Sequence, residues 1–172
     1  MSSASPTKNR GQGSEVRGQG SEVEAPETLP GLSLEAIARH NKSDAVSEKR
    51  QHEWVHVSAQ DLITRVRHIA LGLEDLGIKA GDRVALISEN RPDWSIADLA
   101  ILSAGAVTVP LYTTQAVDQI EFILRDSGAL ALLISGGRVL KHAREGFAEL
   151  DQIKQDIIAG KIKLDNFASL KK

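Results

Sequence analysis

The sequence contains no cysteine, which excludes a disulfide framework and a thiolate site. Aromatic residues make up only 3% of the chain, so aliphatic side chains must fill its core. No apolar stretch approaches the roughly 18 residues of a membrane-spanning helix. The first 28 residues also lack the apolar run of a secretory signal. Together these absences lead us to expect a cytoplasmic protein without a transmembrane segment.

The chain also lacks a strong excess of charge of either sign. Its formal net charge is -2, and its basic residues are dispersed. A nucleic-acid or anionic-membrane partner would require a concentrated basic patch, so we expect neither. A length of 172 residues with 41% apolar content fits one domain with tails.

Composition divides the chain into three parts. Residues 1–28 are rich in polar residues, contain a direct repeat (residues 10–16 and 17–23), and are expected to be a disordered tail. Residues 29–140 carry the regular patterns of a folded domain. Residues 141–172 form a divergent helical tail, with an amphipathic helix predicted over residues 151–159 and a short strand over residues 161–164.

Residues 58–77 show the clearest helix pattern. Ser58 can cap the first turn, apolar residues recur at steps of three and four, and Gly77 supplies a stop. Earlier in the chain, residues 32–40 suggest a short helix. Residues 44–47 and 53–57 suggest a hairpin.

Strands and helices then alternate through residue 134. The predicted strands span residues 83–87, 106–109 and 130–134, and the intervening helices are expected to be capped by Asn90 and by Thr113 or Thr114. Pro110 is expected to stop the second strand. This βαβαβ order predicts an α/β fold, a partial doubly wound parallel sheet.

Ligands of such sheets bind beyond the carboxyl ends of the strands. These ends are predicted at residues 88–90, 110–114 and 135–137. Tyr112, Thr113 and Thr114 are therefore candidates for lining a cleft. Gly136 and Gly137 are interpreted as an ordinary strand-to-helix turn, because no Gly-Lys-Ser/Thr follows them.

One short motif suggests zinc chemistry. His52, Glu53 and His56 match His-Glu-x-x-His, which in zinc proteases places two imidazoles one helical turn apart. Here the segment alternates like a strand and precedes the helix capped by Ser58. A zinc-binding hydrolase is thus a remote alternative, and no metal site is expected.

Four motifs carry a family resemblance. They are Gly-Asp-Arg-Val-Ala at residues 81–85, Glu-Asn-Arg-Pro-Asp-Trp at 89–94, Ala-Gly-Ala-Val-Thr-Val-Pro-Leu-Tyr at 104–112, and Ile-Leu-Arg-Asp-Ser-Gly-Ala at 123–129. In this order and spacing they resemble the amino-terminal part of the long-chain fatty-acid–CoA ligase branch of the AMP-forming adenylating enzymes.

The resemblance implies a two-step reaction. A fatty acid would be adenylated with ATP and magnesium, and the acyl group would then pass to coenzyme A. The family's Ser/Thr/Gly-rich loop with lysine is not found in the sequence, and none of the family's catalytic or cofactor-binding residues maps onto it. We therefore expect a fragment that binds none of these cofactors tightly and is inactive alone. The alternative is a non-catalytic interaction module that completes a split ligase.

Overall fold

The computed structural model describes residues 28–143, which form five helices and five strands. In chain order they are α1 (Leu29–His40), β1 (Val46–Arg50), β2 (Glu53–Val57), α2 (Ala59–Asp75), β3 (Arg83–Ile87), α3 (Pro92–Ser103), β4 (Val107–Leu111), α4 (Val117–Ser127), β5 (Ala131–Ile134) and α5 (Gly137–Ala143). The predicted disordered tail and the predicted elements at 151–159 and 161–164 lie outside these residues. No helix within residues 28–143 has the length and apolarity needed to cross a bilayer.

A parallel three-stranded sheet forms the centre of the fold, with β3 between β4 and β5. Alternate β3 side chains point to opposite faces. Val84 and Leu86 pack with α2 and α3 on the first face, whereas Ala85 and Ile87 pack with α4 and α5 on the second. Because helices cover both faces, the strands are almost entirely apolar. The α/β prediction is confirmed.

Pro110 lies inside β4, and the prediction that it ends the strand is wrong. It pairs in register with Leu86, and the strand continues to Leu111. The amide of Val107 donates to the carbonyl oxygen of Asp82 on the β3 side. Since peptide groups alternate along a strand, the nitrogen of Pro110 points away from β3, where it breaks no ladder hydrogen bond.

Helix starts were predicted less well than helix ends. Ser58 caps α2 as expected, accepting from the amide of Asp61. The residue at the cap position of α3 is Arg91 rather than Asn90, and that of α4 is Ala116 rather than Thr113 or Thr114. Neither makes a side-chain capping bond. Pro92 in the first turn of α3 fixes a helical φ and has no amide hydrogen to satisfy.

The hairpin is confirmed, but its first strand begins later than predicted. β1 covers Val46–Arg50 rather than residues 44–47, and it is joined to β2 by a two-residue loop. Both loop residues, Gln51 and His52, have positive φ, as a turn that follows the right-handed strand twist requires.

Candidate functional site

The carboxyl ends of the three parallel strands meet at one edge of the sheet. From β3 the chain crosses to β4 on one side, then over β3 to β5 on the other. The loops that follow β3 and β5 therefore diverge and leave a crevice between them. In open α/β sheets this is the place where ligands bind.

This crevice holds a cavity of about 600 Å³. Its wall includes the end of β1, the loop after β3 and the loop after β5. The lining residues are Glu48, Arg50, Glu89, Asn90, Arg91, Ser135, Gly136, Gly137, Arg138 and Val139. The mixture of arginine and glutamate makes the cavity polar.

Glu89 links the two loops across the crevice. One carboxylate oxygen accepts a hydrogen bond from the Ser135 hydroxyl, and the other accepts one from Arg138 at 3.2 Å. Nearby, the Ser88 hydroxyl donates to the carbonyl oxygen of Glu89 at 2.9 Å. The ends of β3 and β5 are thus joined by side chains beyond the last ladder bond.

These contacts hold the pKa of Glu89 below its ordinary value of 4.5. The largest cause is the Ser135 hydroxyl, followed by a hydrogen bond from the backbone of Glu89 itself. Partial burial opposes the shift, and Arg138 adds to it. Each of these donors favours the charged carboxylate, so the link persists at neutral pH.

The buried carboxylate of Asp93 holds the end of the loop that leads from β3 to α3. Asp93, in the first turn of α3, is only 4% exposed and forms ion pairs with Arg65 of α2 and with Arg91. The Nε atom of Arg91 is also buried and has no hydrogen-bond partner. Asp93 therefore fixes the guanidinium of Arg91, which forms part of the crevice wall.

A second cavity, of about 690 Å³, lies between the ends of β3 and β4. Tyr112, Thr113 and Thr114 line it together with Trp94, Leu111, Pro110 and residues 88–90. The Tyr112 amide donates to Oε1 of Gln115 at 2.9 Å, while the tyrosine side chain is 78% exposed. The structure thus brings the three predicted residues together at a cavity, and their role there remains a prediction.

Glu89 borders both cavities and was not among the predicted site residues. Its position directly after a buried strand was the available signal, since a charge at a carboxyl end faces the ligand edge. Its partners Ser135 and Arg138 are 46 and 49 residues further on, so their contact follows from the strand order.

The His-Glu-x-x-His segment has a geometry unlike that of a zinc protease. His52 lies in the hairpin turn, and Glu53 and His56 lie on β2 rather than on a helix. The Nδ1 atom of His56 is 2.7 Å from the Ser47 hydroxyl oxygen. Within the part of the chain described, no group of three or more His, Cys, Asp or Glu side chains is arranged to hold a metal ion.

The chain is similar to known proteins. The model of the family described as AMP-binding enzyme matches residues 34–171. The long-chain-fatty-acid–CoA ligase FadD15 of Mycobacterium bovis is 46% identical over 79 residues, which are 46% of this chain and 13% of that protein. The human long-chain-fatty-acid–CoA ligase ACSBG1 is 25% identical over 135 residues, 78% of this chain and 19% of that protein.

A solved structure shows the same fold. The fatty acyl CoA synthetase of Mycobacterium tuberculosis aligns with a TM-score of 0.56 and 26% identity, covering 67% of this chain and 23% of that one. The chain therefore spans less than a quarter of the length of each of these three proteins.

Proposed function

The chain belongs to the AMP-binding enzyme family, and from that premise we propose that it is the amino-terminal part of a long-chain fatty-acid–CoA ligase. The observation that carries the proposal is the 46% identity over 79 residues to a mycobacterial long-chain ligase. The proposed reaction belongs to lipid metabolism and takes place in the cytoplasm.

In the proposed reaction a fatty-acid carboxylate attacks the α-phosphate of ATP and displaces pyrophosphate. The thiol of coenzyme A then attacks the acyl-adenylate and displaces AMP. Magnesium would help to neutralise the phosphate charge, and positioning and electrostatics dominate the first step.

Among residues 28–143, no group of three or more His, Cys, Asp or Glu side chains is arranged to hold a metal ion, and the sequence lacks a Ser/Thr/Gly-rich loop with lysine. We therefore assign the binding of ATP, magnesium and coenzyme A to a complete ligase and propose that the 172-residue chain alone is inactive. The described residues supply a scaffold and the cavity lined by Tyr112, Thr113 and Thr114, which we propose contacts the substrate.

A chimeric enzyme tests this proposal. Residues 34–171 would replace the matching segment of the mycobacterial relative, and acyl-CoA formation from long-chain fatty acids would be measured. We expect the chimera to retain ATP- and coenzyme A-dependent activity, because the two proteins are 46% identical over 79 residues and a fatty acyl CoA synthetase shares the fold. A folded chimera that binds ATP but forms no acyl-CoA with any fatty acid would contradict the proposal.

Substitutions in the chimera test the cavity separately. Tyr112→Ala removes a large side chain from the cavity wall and is expected to change the ratio of kcat/KM values between long and medium acyl chains. Phe122→Ala provides the control, since Phe122 is exposed on α4 and absent from the cavity lining. Equal chain-length preference in both variants would remove Tyr112 from the substrate contact.

A further inference from the structure

The turn that carries Tyr112 is closed by two reciprocal hydrogen bonds. Residues 112–115 follow β4, and the amide of Gln115 donates to the carbonyl oxygen of Tyr112 at 3.2 Å. In return, the amide of Tyr112 donates to Oε1 of the Gln115 side chain at 2.9 Å. Gln115 therefore fixes the backbone from which Tyr112 reaches the wall of the 690 Å³ cavity.

The carbonyl group of Gln115 binds α5. The Nε2 atom of His142 lies 2.8 Å from the carbonyl oxygen of Gln115. A carbonyl oxygen only accepts hydrogen bonds, so Nε2 of His142 must carry the hydrogen. Within residues 28–143, the lining of the cavity includes neither Gln115 nor His142. Any contribution of His142 to the cavity therefore passes through the turn.

Burial holds α5 in the position from which His142 makes this contact. Val139 and Ala143 lie four residues apart, on one face of the helix, and both are buried in the cluster that α4 forms with the second face of the sheet. His142 directly precedes Ala143, so the packed face of α5 fixes the backbone that carries the imidazole.

The segment at 135–143 contacts two walls of the same cavity. At its start, the Ser135 hydroxyl donates to Glu89 in the loop after β3. At its end, His142 donates to Gln115 in the turn after β4. The loop after β3 and the turn after β4 both line the cavity, so this segment braces them from behind.

We propose that His142 is a positioning residue for Tyr112, which it holds at the cavity wall through the carbonyl group of Gln115. The side chains of Tyr112 and Thr114 are exposed, so packing contributes little to the turn and its hydrogen bonds decide its geometry. The proposal rests on the proposed function for what the cavity binds, whereas the hydrogen bonds themselves do not depend on it.

Amide hydrogen exchange of the full 172-residue chain, measured by NMR, tests the role of His142. His142→Gln places an amide nitrogen as many bonds from the backbone as Nε2 of histidine, and His142→Asn places it one bond closer. We expect His142→Asn to accelerate exchange of the Tyr112 amide about threefold to tenfold, because the bond to Gln115 is lost. His142→Gln restores the donor and should keep the rate of the unsubstituted chain.

Two references separate this effect from a general loss of stability. The rates are expressed relative to the amide of Leu73, which is fully buried in α2 on the first face of the sheet. Lys141→Gln, at an exposed neighbouring position of α5, should leave the relative rate of Tyr112 unchanged.

Equal relative rates in the Asn and Gln variants, whether fast or slow, would overturn the proposal. Such a result would mean that the reach of the donor at position 142 does not matter to the turn. The measurement needs no ligase activity, so its failure is distinct from that of an inactive chimera, which would contradict the proposed function instead.

Discussion

At the residue scale, Asp93 is a buried charged group whose loss is expected to destabilise the fold. Its carboxylate is buried and forms ion pairs with two arginines on different elements. Asp93→Asn would leave both guanidiniums without their anion, so we expect a loss of about 3 kcal/mol in the free energy of unfolding. Urea unfolding of both proteins at pH 7 measures this loss in the free energy of unfolding.

Asp75→Asn is the matched control for this substitution. Asp75 is exposed at the end of α2, and the same chemical change there should alter the stability by less than about 0.5 kcal/mol. Similar effects of the two substitutions would show that the ion pairs with Asp93 contribute little.

Glu89 is expected to make the stability of the protein depend on pH in the acid range. Its pKa is lower in the folded state than in the unfolded chain, so its contribution to stability is fully present above about pH 4.5 and is lost as the pH falls through the lowered value. Glu89→Gln should therefore flatten the pH dependence of the urea midpoint below about pH 4.5. Because the side chain is 40% exposed, the effect is small. Identical slopes in both proteins would contradict the Ser135 and Arg138 contacts.

At the scale of single elements, α4 offers two large apolar residues in opposite environments. Leu124 is fully buried against the second face of the sheet, whereas Phe122 is 66% exposed. Leu124→Ala should lower the free energy of unfolding by about 2–5 kcal/mol, and Phe122→Ala by less than about 1 kcal/mol. Chemical unfolding of both variants measures the difference, and equal losses would mean that α4 presents a different face to the sheet.

Some of these helices and strands could be predicted from local sequence patterns alone. Apolar periodicity located β3 and α2, and Gly77, the predicted stop of α2, follows that helix with a positive φ. Capping preferences failed for α3 and α4, because Pro92 and the tertiary packing set their starts without a side-chain cap. The prediction that Pro110 ends its strand failed because proline is tolerated in a strand at a sheet edge. Local sequence does not indicate whether a strand lies at an edge.

At the scale of the whole molecule, the alternation of strands and helices predicted the fold class and the edge that carries residues 88–90 and 135–137, but not the contacts made there. The strand order places β5 beside β3, and only this order brings Ser135 and Arg138 to Glu89. The cavity lined by Tyr112 was easier to predict, since that residue directly follows a strand's carboxyl end. The contacts across the crevice join residues that are distant in the chain, so local patterns could not predict that Glu89 binds Ser135 and Arg138.

The proposed function makes this chain part of an adenylate-forming ligase that needs the remainder of such an enzyme for chemistry. ATP–pyrophosphate exchange, measured with long-chain fatty acid and magnesium, tests it most directly. The folded 172-residue chain should show no exchange above a protein-free blank, while the full-length mycobacterial relative provides the positive control. Fatty-acid-dependent exchange by the 172-residue chain alone would contradict the account.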